Sequence, residues 1–84
     1  MYYVYVLRSK KDDNYYIGYT GDLNRRIAEH NQGISKSTAH RRPLELVYYE
    51  ACRSSKDAMH REKYLKSTYG HRYLNNRLKN DGDD

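Results

Sequence analysis

The sequence predicts an α+β fold: a small three-stranded antiparallel sheet flanked by helices, in the order β-β-α-β-α-α. Two runs of β-branched and aromatic residues, Tyr2–Arg8 and Tyr15–Thr20, are joined by the polar, turn-prone Lys10–Asn14, which predicts a hairpin. A third such run, Leu44–Ala51, follows a helix-period segment, and two more helix-period segments close the chain.

In the first run Tyr3, Tyr5 and Leu7 alternate with Tyr2, Val4, Val6 and Arg8, so apolar groups occupy both faces and the strand is expected at the centre of the sheet. If Tyr5 pairs with Tyr16 or with Gly18, either register puts Tyr5, Tyr16 and Gly18 on one face, because side chains alternate strictly. Two phenols then flank a bare stretch of backbone. A glycine inside a strand marks a bulge or a place where something approaches the main chain closely.

After the hairpin, Asp22 is the expected N-cap of a helix that runs to Asn31 or Gln32 and stops before Gly33. At 100° per residue, Leu23, Arg26, Ile27 and His30 share one arc, whereas Arg25 points away. Arg26 therefore leans toward the sheet, where a guanidinium needs an anion or a carboxylate.

Gly33–Pro43 has almost no apolar content and reads as a long loop, of the length that is usually functional or mobile. Lys36, Arg41 and Arg42 are placed to contact phosphates, with Ser37 or Thr38 adding hydrogen bonds; a solvated surface loop is the plain alternative. Leu44–Ala51 then forms the third strand, with Leu44, Leu46 and Tyr48 on one face and Pro43 at its start.

Ser54 and Asp57 resemble a capping box that opens a helix reaching about Tyr69, with Gly70 ending it. Its apolar stripe is Ala58, Leu65 and Tyr69, and Glu62 lies within that stripe. A carboxylate held against a core needs a cation, and two are available: Arg26, which would lock the helices in a salt bridge, or a metal ion. Leu74 and Leu78 then space a short closing helix over His71–Lys79, and Asn80–Asp84 is expected to fray.

The chain has 84 residues, enough for one domain, expected over residues 1–80 with a disordered tail at 81–84. A net charge of +5 favours polyanionic partners, nucleic acid first. No apolar run approaches the roughly 20 residues a bilayer needs and no leader precedes the first strand, so the expected home is the cytoplasm, away from membranes. The single Cys52 excludes an internal disulfide and a cysteine-built zinc site. Of the eleven tyrosines, with no tryptophan or phenylalanine beside them, most are expected to serve packing and strand formation, and Tyr5 and Tyr16 are the exceptions.

Val4-Tyr5-Val6, then Tyr16-Ile17-Gly18 eleven residues on, then Tyr19-Thr20-Gly21-Asp22-Leu23-Asn24-Arg25-Arg26 and a later helix with one glutamate resemble the core of the GIY-YIG nucleases. Tyr3 and Val4 replace the Gly and Ile of the first motif, and Tyr5 keeps the tyrosine position. The resemblance covers most of the chain. It implies a metal-dependent endonuclease in which Tyr5 orients or deprotonates a water, Tyr16 holds the phosphate or water network, Arg26 stabilises charge on the phosphate, and Glu62 holds one Mg²⁺ or Mn²⁺. His30 would hydrogen-bond Tyr5 or a phosphate, Gly18 would lie against the nucleic acid, and Asn76, preferred to Asn75, would reach the site from the end of the domain. The small stand-alone members and the incision domain of the repair endonuclease suggest nicking of single-stranded, branched or nicked DNA in repair or recombination, directed by DNA structure or a partner protein. The rival readings are a non-catalytic basic module for DNA or RNA, holding on through Lys36, Arg41, Arg42, Arg72, Arg77 and Lys79, and a tyrosine-rich scaffold that recruits a nuclease.

Overall fold

The computed structural model describes residues 1–81, and the expected tail, apart from Asp81, lies outside the described residues. The elements follow the predicted order: β1 (Tyr2–Ser9), β2 (Tyr15–Thr20), α1 (Leu23–Asn31), a single 3-10 turn (Ala39–Arg41), β3 (Leu44–Cys52), α2 (Ser55–Lys66) and α3 (Thr68–Arg77). The strands form one antiparallel sheet ordered β2-β1-β3, so β1 is the central strand. Tyr5 pairs with Gly18, the second of the two expected registers.

The alternation of β1 feeds two cores. Val4 and Val6, with Ile17, Ala58, Leu65 and Leu74, form a buried cluster under α2 and α3. Tyr5 and Leu7 join Leu44 on the other face, with Tyr16, Leu23, Ile27 and Leu46 packed around them beneath α1. The arc expected on α1 is therefore the arc that faces the sheet.

Three expectations are corrected. Leu44 and Leu46 pack on the α1 side, but Tyr48 packs with the other core. Val6 pairs with Tyr48 and the next residue, Leu7, with Leu46, so Val47 is an extra residue in a β-bulge that resets the alternation. Second, the helix expected to end at Gly70 breaks at Ser67, which is extended and whose hydroxyl accepts from the Gly70 backbone N–H to cap α3. Gly70 is thus buried inside α3, where an added Cβ would stand 2.1 Å from the Tyr64 carbonyl oxygen. The glycine permits the sharp approach of two helices and does not end one. Tyr69 consequently leaves the apolar stripe and is 69% exposed. Third, Ser54 is the N-cap of α2 but makes no side-chain cap bond, so the capping box does not form.

At α1 the expected cap is present, with Asp22 accepting from the Arg25 backbone N–H, and Gly33 follows the helix with φ +81°. The loop after it is stitched to the hairpin. Arg41 donates to Asp12 at 3.0 Å and to the backbone carbonyls of Asn14 and Tyr15, while Ser9 donates to the Arg41 carbonyl at 2.6 Å. Near the end of the described chain Asp81 pairs with Arg8 of β1.

Candidate active site

Tyr5 stands at the middle of the central strand and is 1% exposed. Its ring crosses directly over its pairing partner: a Cβ on Gly18 would lie 2.5 Å from the Tyr5 hydroxyl. The bare backbone expected to admit something is thus occupied, on this face, by the Tyr5 ring itself.

Next to last in α1, the fully buried His30 places Nε2 2.9 Å from Tyr5 Oη and Nδ1 2.8 Å from Thr38 Oγ1. Tyr16 joins them edge-on, its ring centroid 5.0 Å from that of His30, and Tyr5 meets the same imidazole edge-on at 5.7 Å. Thr38 joins the cluster in a place sequence reasoning did not give it, having offered it only as an alternative to Ser37 for hydrogen bonds to phosphate. It is completely buried in an otherwise polar loop, and its eight-residue separation from His30 gives no periodic signal.

Arg26 lies one turn before His30 on the same face of α1, with 29% of its side chain exposed, and it donates to Glu29 at 3.1 Å. Among the described residues it makes no salt bridge to Glu62; the carboxylate partner is its own helix neighbour. Glu62 belongs to α2, on the opposite face of the sheet, where its half-buried carboxylate sits 3.5 Å from Lys66 Nζ.

The electrostatics tie these groups together. Burial pushes the Tyr5 phenol up to about 12, the nearby Arg26 guanidinium opposes that rise, and the charges of Tyr16 and Glu62 add to it. Arg26, Tyr16 and Glu62, from three other elements, thus all bear on the Tyr5 hydroxyl. Burial, then the Arg26 charge, holds His30 below its ordinary value against the weaker opposing pull of Glu29, so the imidazole is neutral at pH 7. A neutral imidazole between a phenol and a hydroxyl can pass or hold a proton, and the partly exposed Arg26 can meet an anion.

For a metal, the donor set offers one carboxylate. Among the described residues no three His, Cys, Asp or Glu side chains gather into a cluster. A lone carboxylate suits a hard cation that keeps its waters and takes further oxygens from a phosphate, so Glu62 fits Mg²⁺ or Mn²⁺ in that manner and in no closed cage.

The other expected contacts are dispersed. Lys36 and Ser37 are exposed on the loop, with Ser37 Oγ 3.2 Å from Ser35 Oγ. Arg42 donates to the Ala39 carbonyl at 2.7 Å and lies across Gly33, where it lines a cleft of about 580 Å³ with Lys11, Asn31, Ala39, His40 and Pro43. That cleft contains none of the Tyr5 cluster. Arg41 is committed to the hairpin, and a phosphate would have to compete with Asp12 for it. Asn76 is exposed on α3, whereas Asn75 lines a separate cleft with Arg8, Asp13, Asn14, Tyr15 and His71.

Residues 1–78 match the family described as the GIY-YIG catalytic domain. The chain is 43% identical over 67 residues to a UPF0213 protein of Clostridium perfringens, covering 79% of this chain and 71% of that one. It is 46% identical over 65 residues to a UPF0213 protein of Streptococcus pneumoniae, covering 76% of this chain and 65% of that relative's length. The solution NMR structure of a UPF0213 protein from Bacillus halodurans is similar with a TM-score of 0.57 and 38% identity, over 98% of this chain and 89% of that one.

Proposed function

This chain belongs to the GIY-YIG catalytic domain family, a nuclease fold, and from that premise we propose that it is a divalent-metal-dependent endonuclease acting on DNA phosphodiester bonds. The observation that carries the reading is the cluster of Tyr5, Tyr16 and His30, with Arg26 one turn before His30 on the same helix face; Arg26, Tyr16 and Glu62 each bear on the Tyr5 hydroxyl. An in-line attack by water needs its nucleophile aligned and the growing phosphate charge neutralised. Arg26 supplies the charge, and its partial exposure leaves it able to exchange Glu29 for a phosphate oxygen. Tyr16 holds the phosphate, and Tyr5 orients the water. With its phenol near 12, Tyr5 keeps its proton at neutral pH, so orienting fits it better than deprotonating.

Glu62 would hold the Mg²⁺ or Mn²⁺, in competition with Lys66. When bound, such an ion supplies Lewis-acid stabilisation to the phosphate and to the leaving 3′ oxygen. Lys36, Ser37 and Arg42 would track the flanking backbone, Asn76 would border the strand, Gly18 would seat the Tyr5 ring that faces it, and Arg41 would fix the loop to the hairpin. The substrates proposed are single-stranded, branched or nicked DNA, as in repair or recombination, with a partner protein as the alternative source of targeting.

The test is incubation of the purified chain with supercoiled, single-stranded and forked DNA, and with RNA, in Mg²⁺ or Mn²⁺. Cleavage is expected, falling at least about 100-fold in Arg26→Ala and in Glu62→Gln, since each removes a charge-stabilising group. Full activity in either variant would reject the site. Salt-sensitive binding with no cleavage in either metal would favour the non-catalytic module.

A further inference from the structure

The buried chain Tyr5–His30–Thr38 contains three hydrogens and only two hydrogen bonds. Tyr5 has one on its phenol, neutral His30 one on its ring, and Thr38 one on its hydroxyl. One hydrogen must therefore point elsewhere. If the bonds run from Tyr5 to His30 to Thr38, the unmatched hydrogen is that of Thr38. Thr38 is fully buried, and among the described residues its hydroxyl has no partner except His30 Nδ1. A buried hydroxyl proton without an acceptor is costly. If the bonds run the other way, the unmatched hydrogen is that of Tyr5, whose hydroxyl lies over the side-chain-free Gly18 of the edge strand β2, on the sheet face that carries the partly exposed Tyr16. There a water or phosphate oxygen can accept it.

We infer that Thr38 donates to His30 Nδ1 and so fixes His30 as the Nε2–H tautomer, which donates to Tyr5 Oη and leaves the Tyr5 proton directed at the substrate. Thr38 is then a positioning residue, acting on the substrate through two others. His30 serves as a donor to the phenol oxygen, not as an acceptor of its proton. The loop has a structural reason to end in this contact. The Thr38 backbone is held by the Thr38 N–H to Ser35 carbonyl bond at 3.2 Å and the Arg41 N–H to Thr38 carbonyl bond at 2.9 Å, and Arg41 is itself tied to Asp12. The hydroxyl is thus presented by a segment anchored on both sides.

This inference builds on the proposed nuclease reading for its functional consequence, but the tautomer itself does not depend on it. The first measurement is a long-range ¹H–¹⁵N correlation spectrum of the uniformly labelled full chain at neutral pH. It is expected to show His30 with a protonated Nε2 and an unprotonated Nδ1. A protonated Nδ1, a mixture of both tautomers, or a doubly protonated ring would overturn the assignment. The second measurement compares Thr38→Ser and Thr38→Val. Serine keeps the donor and is expected to retain the tautomer and cleavage within about twofold, whereas valine is expected to lower cleavage about tenfold or more, as loss of an orienting outer partner commonly does. Thr38→Val that folds with an unchanged melting profile and cleaves at the wild-type rate would remove the positioning role. So would Thr38→Ser that keeps a native spectrum but behaves like valine. A wild-type chain that cleaves nothing would sink the nuclease reading while the ring-nitrogen result still decides the tautomer.

Discussion

At the scale of single residues, Gly18 and Tyr5 are one object. The glycine has no side chain because the phenol lies where one would be, with the Tyr5 Cζ 2.7 Å from an added Cβ. Gly18→Ala is therefore expected to push the Tyr5 ring off His30, costing about 1–3 kcal/mol as other overpacked cores do. Cleavage should fall with it, and a denaturant melt alongside an activity assay checks both. Tyr5→Phe keeps the ring but leaves the buried His30 Nε2 without a partner, at a cost of about 1–3 kcal/mol. A melt indistinguishable from wild type would contradict that. Tyr5, Tyr16, Arg26 and His30 were legible because hairpin register and helical period each put them on the face they occupy. Thr38 was not, since a loop has no period, and only the three-dimensional return of the chain brings it to His30.

At the scale of elements, local chemistry was readable where a signal acts alone and failed where packing decides. The α1 cap depends on Asp22 and its own helix, and it forms. Asp22→Ala should cost about 1 kcal/mol, measured by thermal denaturation. The α2–α3 junction depends on contacts between helices. Gly70 looked like a terminator, yet it sits 2.4 Å, measured from its would-be Cβ, from Leu65 Cα. Backbone cannot yield as a side chain can. Gly70→Ala is thus expected to destabilise by at least about 1–3 kcal/mol, by separating α3 from α2. The Val47 bulge escaped for a similar reason. Strict alternation was assumed for β3, and nothing local in Leu44–Ala51 announces the extra residue.

At the scale of the whole molecule, charge and protonation set the working conditions. The α+β architecture and its order were legible from the succession of periods, since each long element carries its own pattern. His30 is neutral when folded and held below its ordinary value, chiefly by burial, while an unfolded chain titrates it near ~6.5. The unfolded state thus binds the extra proton first, and stability should decline as pH falls below that value. Glu50, held below the usual carboxylate range, despite its burial, by the 2.9 Å bonds from Arg61 and the 2.8 Å bond from the Tyr48 hydroxyl, adds its own loss only at lower pH. Melting temperatures taken from pH 7 to pH 4 should fall in those two stages; a flat profile down to pH 5 would contradict the first. With a net charge of +5, DNA binding should also weaken with salt, by about 40-fold between 50 and 200 mM if Arg26, Lys36 and Arg42 each meet a phosphate.

The division of the interior into two clusters, on opposite faces of the sheet, has a dynamic consequence. The nine-residue α1 can loosen from its side of the sheet while α2 and α3 stay shut on theirs. Amide exchange with heavy water should accordingly be faster along α1 than along α2, which would give a bound strand room to settle against the Tyr5 side without melting the rest.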